Sequence, residues 1–238
     1  MLDSISIFIP AYNEEENLSY VCCNILDYLR KNSIDYELLL LNDASSDNTL
    51  DIMRMFSSQD YRIKYFNFST RQGLGKLMKM GYSLATKQWV MMIAGDGQFT
   101  VEQLDLYINN SDKAEIIAGY RVERYKYYPF LRRVVSKTYN FLARFFFKIP
   151  LNDIGWTKMV KRKVLEKFSL KKSGATIELE LVVKALLKNF NVCEIEVPFT
   201  PRRFGKSKSF NIKVLFLSTS SILSLFIEVI LLRRFLDK

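Results

Sequence analysis

The stretch WVMMIAGDGQFT, residues 89–100, sets the reading of this chain. Residues 89–94 make an apolar run, as expected of a strand buried on both faces. The run breaks at Gly95-Asp96-Gly97, where one carboxylate stands between two glycines with Gln98 just behind it. Thr100 then opens a helix, with Gln103 three residues on in a capping-box pattern.

The same order recurs outward from it. Ile5–Ile9 is a short apolar run ended by Pro10, and Asn13 is placed to cap a helix through Val21, Ile25 and Leu29. YELLLLN (36–42) is a second buried run, followed by the turn-rich DASSDNT and a helix over 50–56. IKYFNF (63–68), a helix over 75–85 and EIIAG (115–119) continue the alternation. Strands alternating with helices predict an α/β fold with a mainly parallel sheet flanked by helices. In such sheets ligands bind at the carboxyl ends of strands. Three polar clusters stand there: Pro10 to Glu14, Asn42 to Asp47, and Gly95 to Gln98.

Composition narrows the chemistry. The 238 residues are 49% hydrophobic and 25% charged, which describes a folded chain rather than a disordered one. The net charge of +10 calls for an anionic partner. A phosphorylated substrate and a phospholipid surface fit; no zinc-finger or RNA-binding signature is visible, so nucleic acid is not expected. Histidine is absent, which removes His-based nucleophile systems and His-ligated metals. Any metal must be a hard cation on oxygen ligands. Cys22, Cys23 and Cys193 read as reduced core thiols. The N-terminus lacks signal-peptide character, so the chain is expected at the cytoplasmic face of a membrane.

After Gly119 the pattern changes. YRVERYKYYPFLRRVVSKTYNFLARFFFK is basic, aromatic and amphipathic. It suits either an interfacial membrane helix or a core helix with a solvated basic face. Val214–Leu232 is largely apolar and about as long as a spanning helix, ~20 residues. Glu228 within it argues equally for a helix lying on the membrane surface.

IPAYNEEENL, LNDASSDNT, RQGLGKLMKMGYSLA and AGDGQFT, in that order, resemble the nucleotide-sugar half of family-two inverting glycosyltransferases, which have the GT-A fold. Downstream, GYR, PFLRR, NDIGWTKMVKRKVLE, IELELVVKALLKNFNVCEIEVPF and RRFGKSKS look like the dolichol-phosphate mannose synthase branch. The resemblance implies a GT-A domain over 1–210, with a nucleotide-sugar half (1–119) and an acceptor half (120–210), followed by a membrane-associated helix over 211–238. It implies transfer of a hexose, with inversion, from a UDP- or GDP-sugar to a polyprenyl (dolichyl or undecaprenyl) phosphate. Pro10, Tyr12, Glu14 and Asp43 would bind the nucleoside. Asp96 and Gln98 would hold Mg2+ or Mn2+ on the diphosphate. Arg121 and Arg132 or Arg133 would hold the acceptor phosphate, and Arg202, Ser207 and Lys208 would close over the nucleotide. Asp153 and Glu178 would orient sugar hydroxyls or brace the arginines.

The chain departs from that pattern at one place above all. Family members carry Asp-x-Asp at this strand end; here the triplet is Ala94-Gly95-Asp96. The lone acid then reads as the remaining protein anchor of a metal–diphosphate, completed by substrate phosphates and water. The chain also lacks the Q/R-x-x-R-W motif of many hydroxyl-directed relatives, which favours an ionised acceptor needing no base. The rivals are transfer to a glycan or glycolipid hydroxyl with Asp153 as base, and a non-catalytic nucleotide-sugar-binding relative.

Overall fold

A computed structural model describes residues 2–172, 174, 176–204 and 220–230. The first half alternates as expected: β1 (Ser4–Ala11), α1 (Glu15–Lys31), β2 (Asp35–Asn42), α2 (Thr49–Gln59), β3 (Ile63–Asn67), α3 (Leu74–Leu84), β4 (Trp89–Met92), α4 (Val101–Asn109) and β5 (Ile116–Val122). Then come α5 (Arg124–Tyr127), α6 (Phe130–Phe147), β6 (Lys158–Lys161), α7 (Arg162–Leu165), α8 (Thr176–Leu187) and β7 (Val192–Pro198). The strands form one sheet in the order β3-β2-β1-β4-β6-β5-β7. β1 pairs in parallel with β2 and β4, β2 with β3, and β5 with β7; β6 runs antiparallel between β4 and β5.

The continuous apolar runs follow from cover on both faces. Ile5, Ile7 and Ile9 pack with Val21, Leu29 and Met53 from α1 and α2. Phe8 points the other way and packs with Leu77, Met78 and Tyr82 of α3 and Ile177 and Leu181 of α8. This is the period of two of a strand, with both phases apolar. Gly81 lets α3 close on the sheet, because a Cβ there would lie 2.3 Å from the Phe8 ring.

Local readings need three corrections. β1 runs through Pro10 to Ala11 instead of ending at Pro10. β4 pairs only with Ile5–Phe8, so the N–H that Pro10 lacks is not needed on that side. Asn13 is not the helix cap: it sits at φ 51, and Glu14 precedes α1 without a side-chain cap bond. Thr100 does cap α4, accepting from Gln103 N at 3.4 Å, but the Gln103 amide turns away to the Pro198 carbonyl at 2.7 Å.

The described part of the C-terminal segment packs on the protein. Residues 220–230 are helical, and Ile222, Leu225 and Val229 are buried with Leu179, Val182 and Val183 of α8 and Ala143 of α6. Glu228 pairs with Lys184 at 3.2 Å and Lys172 at 3.1 Å. The carboxylate that sat awkwardly in an apolar segment is thus a docking contact onto α8. Among the described residues no helix is long and apolar enough to cross a membrane. The rest of the 211–238 segment lies outside the described residues.

Candidate active site

At the carboxyl ends of β1, β2 and β4 the three polar clusters meet around a cleft with about 650 Å3 of empty space. Pro10, Tyr12, Glu14, Asp43, Ala94, Gly95, Asp96 and Arg202 all line it, together with Arg71. The loops that deliver these residues are zipped to each other. Asn13 donates to Ser46 Oγ and accepts from Ser46 N at 2.9 Å; Glu15 Oε2 accepts from Asn48 N at 3.0 Å. Glu14 N donates to Thr49 Oγ1 at 2.9 Å. The left-handed turn at Asn13 is what brings its amide onto the second loop, and Asn tolerates that conformation better than most residues.

Asp43 is buried and already engaged. It accepts from Arg71 Nε at 3.0 Å, Gln72 N at 2.6 Å and Gly73 N at 3.2 Å. Arg71 in turn lies over the Tyr12 ring, 3.3 Å from its centroid. Asp43 therefore shapes the 71–73 turn and aims Arg71 across Tyr12. Sequence reading missed Arg71, although it stands in one of the stretches that carried the resemblance.

Asp96 lies at the root of the cleft, next to β1: a Cβ on Gly95 would be 3.4 Å from that of Ala11. Burial pushes the Asp96 carboxyl above its ordinary value; the Gln98 backbone N–H and Arg202 oppose this, and Glu14 adds to it. Arg202, arriving from beyond β7, hydrogen-bonds Glu14 Oε1 and stands 3.7 Å from Asp96 Oδ2. Gln98 donates its amide nitrogen to the Thr200 carbonyl at 3.3 Å. Ser207 and Lys208, expected on the same loop, lie outside the described residues.

The second group of residues collects around Tyr128. Arg132 stacks over its ring at 4.1 Å, Arg133 donates to its carbonyl at 3.4 Å, and Arg121 lies 6.0 Å from its ring. Phe199 packs on it edge-on, and stacks on Tyr127 at 4.9 Å. The short 199–204 segment therefore touches both groups, through Phe199 at one end and Arg202 at the other.

Arg121 makes a two-pronged ion pair with Asp153, at 2.8 Å and 3.2 Å, over the face of Trp156. Arg124, only 1% exposed, reaches the same carboxylate at 3.3 Å and the Asn152 carbonyl at 2.9 Å. Asp153 thus braces the arginines, as one of the two expected roles has it, and both its oxygens face guanidinium. Arg124 was missed because nothing in the sequence brings position 153 back to it. Glu178 lies elsewhere, buried between Lys158 at 2.9 Å and Tyr82 at 3.4 Å.

The two groups differ in charge balance. The cleft sets the carboxylates Glu14, Asp43 and Asp96 against two guanidiniums, Arg71 and Arg202. The Tyr128 group sets four guanidiniums against Asp153, the carboxylate that touches them among the described residues. The first arrangement carries an excess of carboxylate and the second an excess of guanidinium.

Residues 6–169 match the model of glycosyl transferase family 2. The chain belongs to that family. It is a glycosyltransferase with a GT-A-like mixed sheet. Uncharacterized glycosyltransferases of Mycobacterium bovis and Mycobacterium tuberculosis are 26% identical over 208 residues, covering 87% of this chain and 89% of theirs. In fold, it is similar to glucosyl-3-phosphoglycerate synthase from Mycobacterium tuberculosis. The crystal structure of that synthase with Mn2+, UDP and phosphoglyceric acid superposes with a TM-score of 0.71 at 15% identity, covering 94% of this chain and 78% of that one. Its complex with Mg2+ and UDP gives 0.69 at 14% identity, covering 94% and 79%.

Proposed function

We propose that the glycosyltransferase moves a hexose, with inversion, from a UDP- or GDP-sugar to the phosphate of a polyprenyl lipid, as in the dolichol-phosphate mannose synthase branch. The observation that carries this is the surplus of arginine at the base of α6. An ionised phosphate needs no general base; it needs cations to hold it and to offset its repulsion from the donor diphosphate. Arg121, Arg132 and Arg133 supply them, with planar forks suited to phosphate.

α6 runs away from this cluster with an unusual surface. Only Asn140 and Ala143 of its residues are buried. Phe130 is 79% exposed and Phe145 67%, with Leu131, Val134 and Phe141 also exposed. The helix carries Arg132, Arg133, Lys137 and Arg144 and no acid. Exposed aromatics with basic neighbours suit an anionic bilayer surface. α6 would seat the chain at the cytoplasmic face of a membrane and bring the lipid phosphate to its own N-terminal end.

On the donor side, Tyr12, Arg71 and Pro10 would flank the base and Glu14 the ribose. The diphosphate would lie against Gly95, which lines the cleft. A divalent cation fits there: Asp96 offers a carboxylate, and Gln98, with its amide nitrogen on Thr200, keeps its amide oxygen as a donor atom. Bound Mg2+ or Mn2+ would supply charge neutralisation of the leaving diphosphate. Arg202 stands beside the same position.

A second reading shares the arginine cluster. The structurally similar synthase is described with phosphoglyceric acid, and a small phosphorylated acid would satisfy the same surplus charge. Transfer to a neutral hydroxyl with Asp153 as base fits less well, because both Asp153 oxygens face arginine. The test is release of UDP or GDP from a nucleotide-sugar panel with Mn2+ and one of three additions: polyprenyl phosphate in liposomes, phosphoglycerate, or a neutral glycolipid. Release that depends on polyprenyl phosphate is expected. Release driven only by phosphoglycerate would move the acceptor to the soluble class. Release driven only by the glycolipid would overturn the phosphate reading.

A further inference from the structure

We infer that the guanidinium of Arg202 occupies a cation position shared by Glu14 and Asp96, and that a divalent metal and Arg202 are alternative occupants of it. The inference rests on the donor-side part of the reading above but shifts Glu14 from the ribose to the metal's surroundings.

Three observations lead there. First, the chain has Ala94 where its resemblance places the other metal-binding acid. Second, Arg202 spans two carboxylates: it hydrogen-bonds Glu14 Oε1 and lies 3.7 Å from Asp96 Oδ2. Side-chain exposure is 15% for Arg202, 10% for Glu14 and 19% for Asp96, so little water screens the group. Two carboxylates this deep repel each other unless a cation stands between them. Arg202 is that cation, and Asn17 Nδ2 donates to the other Glu14 oxygen at 2.9 Å, fixing the carboxylate in place.

Third, Arg202 is carried on a chain segment and not on the sheet. Its Nε donates to the carbonyl of Phe204, a local bond that lets the side chain and its backbone move together. Gly97, at φ 72, lies under this segment: a Cβ there would be 3.4 Å from that of Arg203. A metal arriving with the nucleotide diphosphate brings both a stronger cation for the carboxylates and an anion for the displaced guanidinium. The exchange therefore conserves charge pairing: carboxylates pass from Arg202 to the metal, and Arg202 passes to phosphate. A metal arriving alone gains the carboxylates but leaves Arg202 with no anionic partner, only the Phe204 carbonyl. Metal and nucleotide binding should therefore be strongly coupled, and metal affinity without nucleotide should be suppressed by the resident arginine.

The test measures Mn2+ itself, by electron paramagnetic resonance of the free ion, on the whole chain in the absence of nucleotide and acceptor. Arg202→Gln removes the competitor and should tighten Mn2+ binding by about tenfold, the penalty expected when a site is vacant in only a minor fraction of molecules. Glu14→Gln added to Arg202→Gln should abolish most of that gain. With UDP present the sign reverses, and Arg202→Gln should weaken the Mn2+–UDP complex. Unchanged or weaker Mn2+ binding by folded Arg202→Gln would overturn the exchange. A gain that survives Glu14→Gln would remove Glu14 from the site. Because the readout is the metal ion, it stands whether or not any acceptor turns over; failure of the acceptor panel with a positive Mn2+ result would count against the proposed acceptor alone.

Discussion

The cleft at the ends of β1, β2 and β4 and the arginine cluster around Tyr128, the proposed donor and acceptor sides, are built on one sheet, yet they treat charge in opposite ways. In the cleft, carboxylates outnumber guanidiniums and every one is held: Asp43 by Arg71 and two backbone N–H groups, Glu14 and Asp96 by Arg202. Around Tyr128, guanidiniums outnumber the carboxylate, and Asp153 is shared between Arg121 and Arg124. The difference teaches what each side lacks. On the proposed reading, a nucleotide diphosphate with its cation would complete the first, and an acceptor phosphate would complete the second. Neither statement could be made from net charge alone, because +10 is a sum over both and over the solvated surface.

The comparison can be broken most sharply at Asp96. Asp96→Asn should lower nucleotide release by roughly 10²–10³-fold, the scale of losing a charge-stabilising contact in a transition state. The same change should not weaken the fold. Burial raises the Asp96 carboxyl, so the folded chain holds that proton more tightly than the unfolded chain does. Stability therefore falls as pH rises from the unfolded carboxylate value through the raised folded one. Removing the charge should raise the melting temperature at pH 7, and the gain should vanish at acidic pH. A lower melting temperature at pH 7 would mean that Asp96 is a structural anchor.

On the acceptor side the expected effect is smaller. Arg121→Gln removes a charged hydrogen-bonding group worth about 1.5–3 kcal/mol, or roughly 10–100-fold in kcat/KM for the acceptor. The KM for nucleotide-sugar should stay as it was, since Arg121 does not line the donor cleft. Equal losses for donor and acceptor would erase the division between the two regions.

How far the sequence alone could see depends on the same division. The first half is made of strands whose runs are apolar on both faces and end in polar residues, so strand and candidate site show in consecutive letters. β6 is four residues, KMVK, inside a basic stretch, and it reads as nothing in particular. Its Lys158 is fully buried only because the Ile154 and Trp156 carbonyls and Glu178 converge on it, a fact of tertiary structure. Arg71 and Arg124 have the same excuse: their partners are Asp43 and Asp153, 28 and 29 positions away. The C-terminal segment shows a deeper ambiguity. An apolar helix face looks the same whether it meets lipid or the face of α8, and only Glu228, with lysines waiting at 184 and 172, tells them apart.

That segment offers the mildest test. Glu228→Gln leaves the helix face intact and removes two partly exposed ion pairs, so the loss should be about 1 kcal/mol or less. The melting temperature should fall by a few degrees at most, with nucleotide binding unchanged. A larger fall would show that the 220–230 helix holds α6 and α8 together rather than resting against them.

The antiparallel β6 has a consequence for how the chain is made. β1 to β4 are complete once residue 92 has left the ribosome, but the strand that covers the outer side of β4 is residues 158–161. For some seventy residues of synthesis, at roughly 5–20 residues per second, Trp89, Val90 and Met91 present an unpaired sheet edge. Such an edge is a template for any strand that reaches it first. β5 emerges earlier than β6 and belongs one place further out. The nascent chain must therefore leave a gap the width of one strand beside β4 until β6 emerges, and only then can β7 close the far edge on β5.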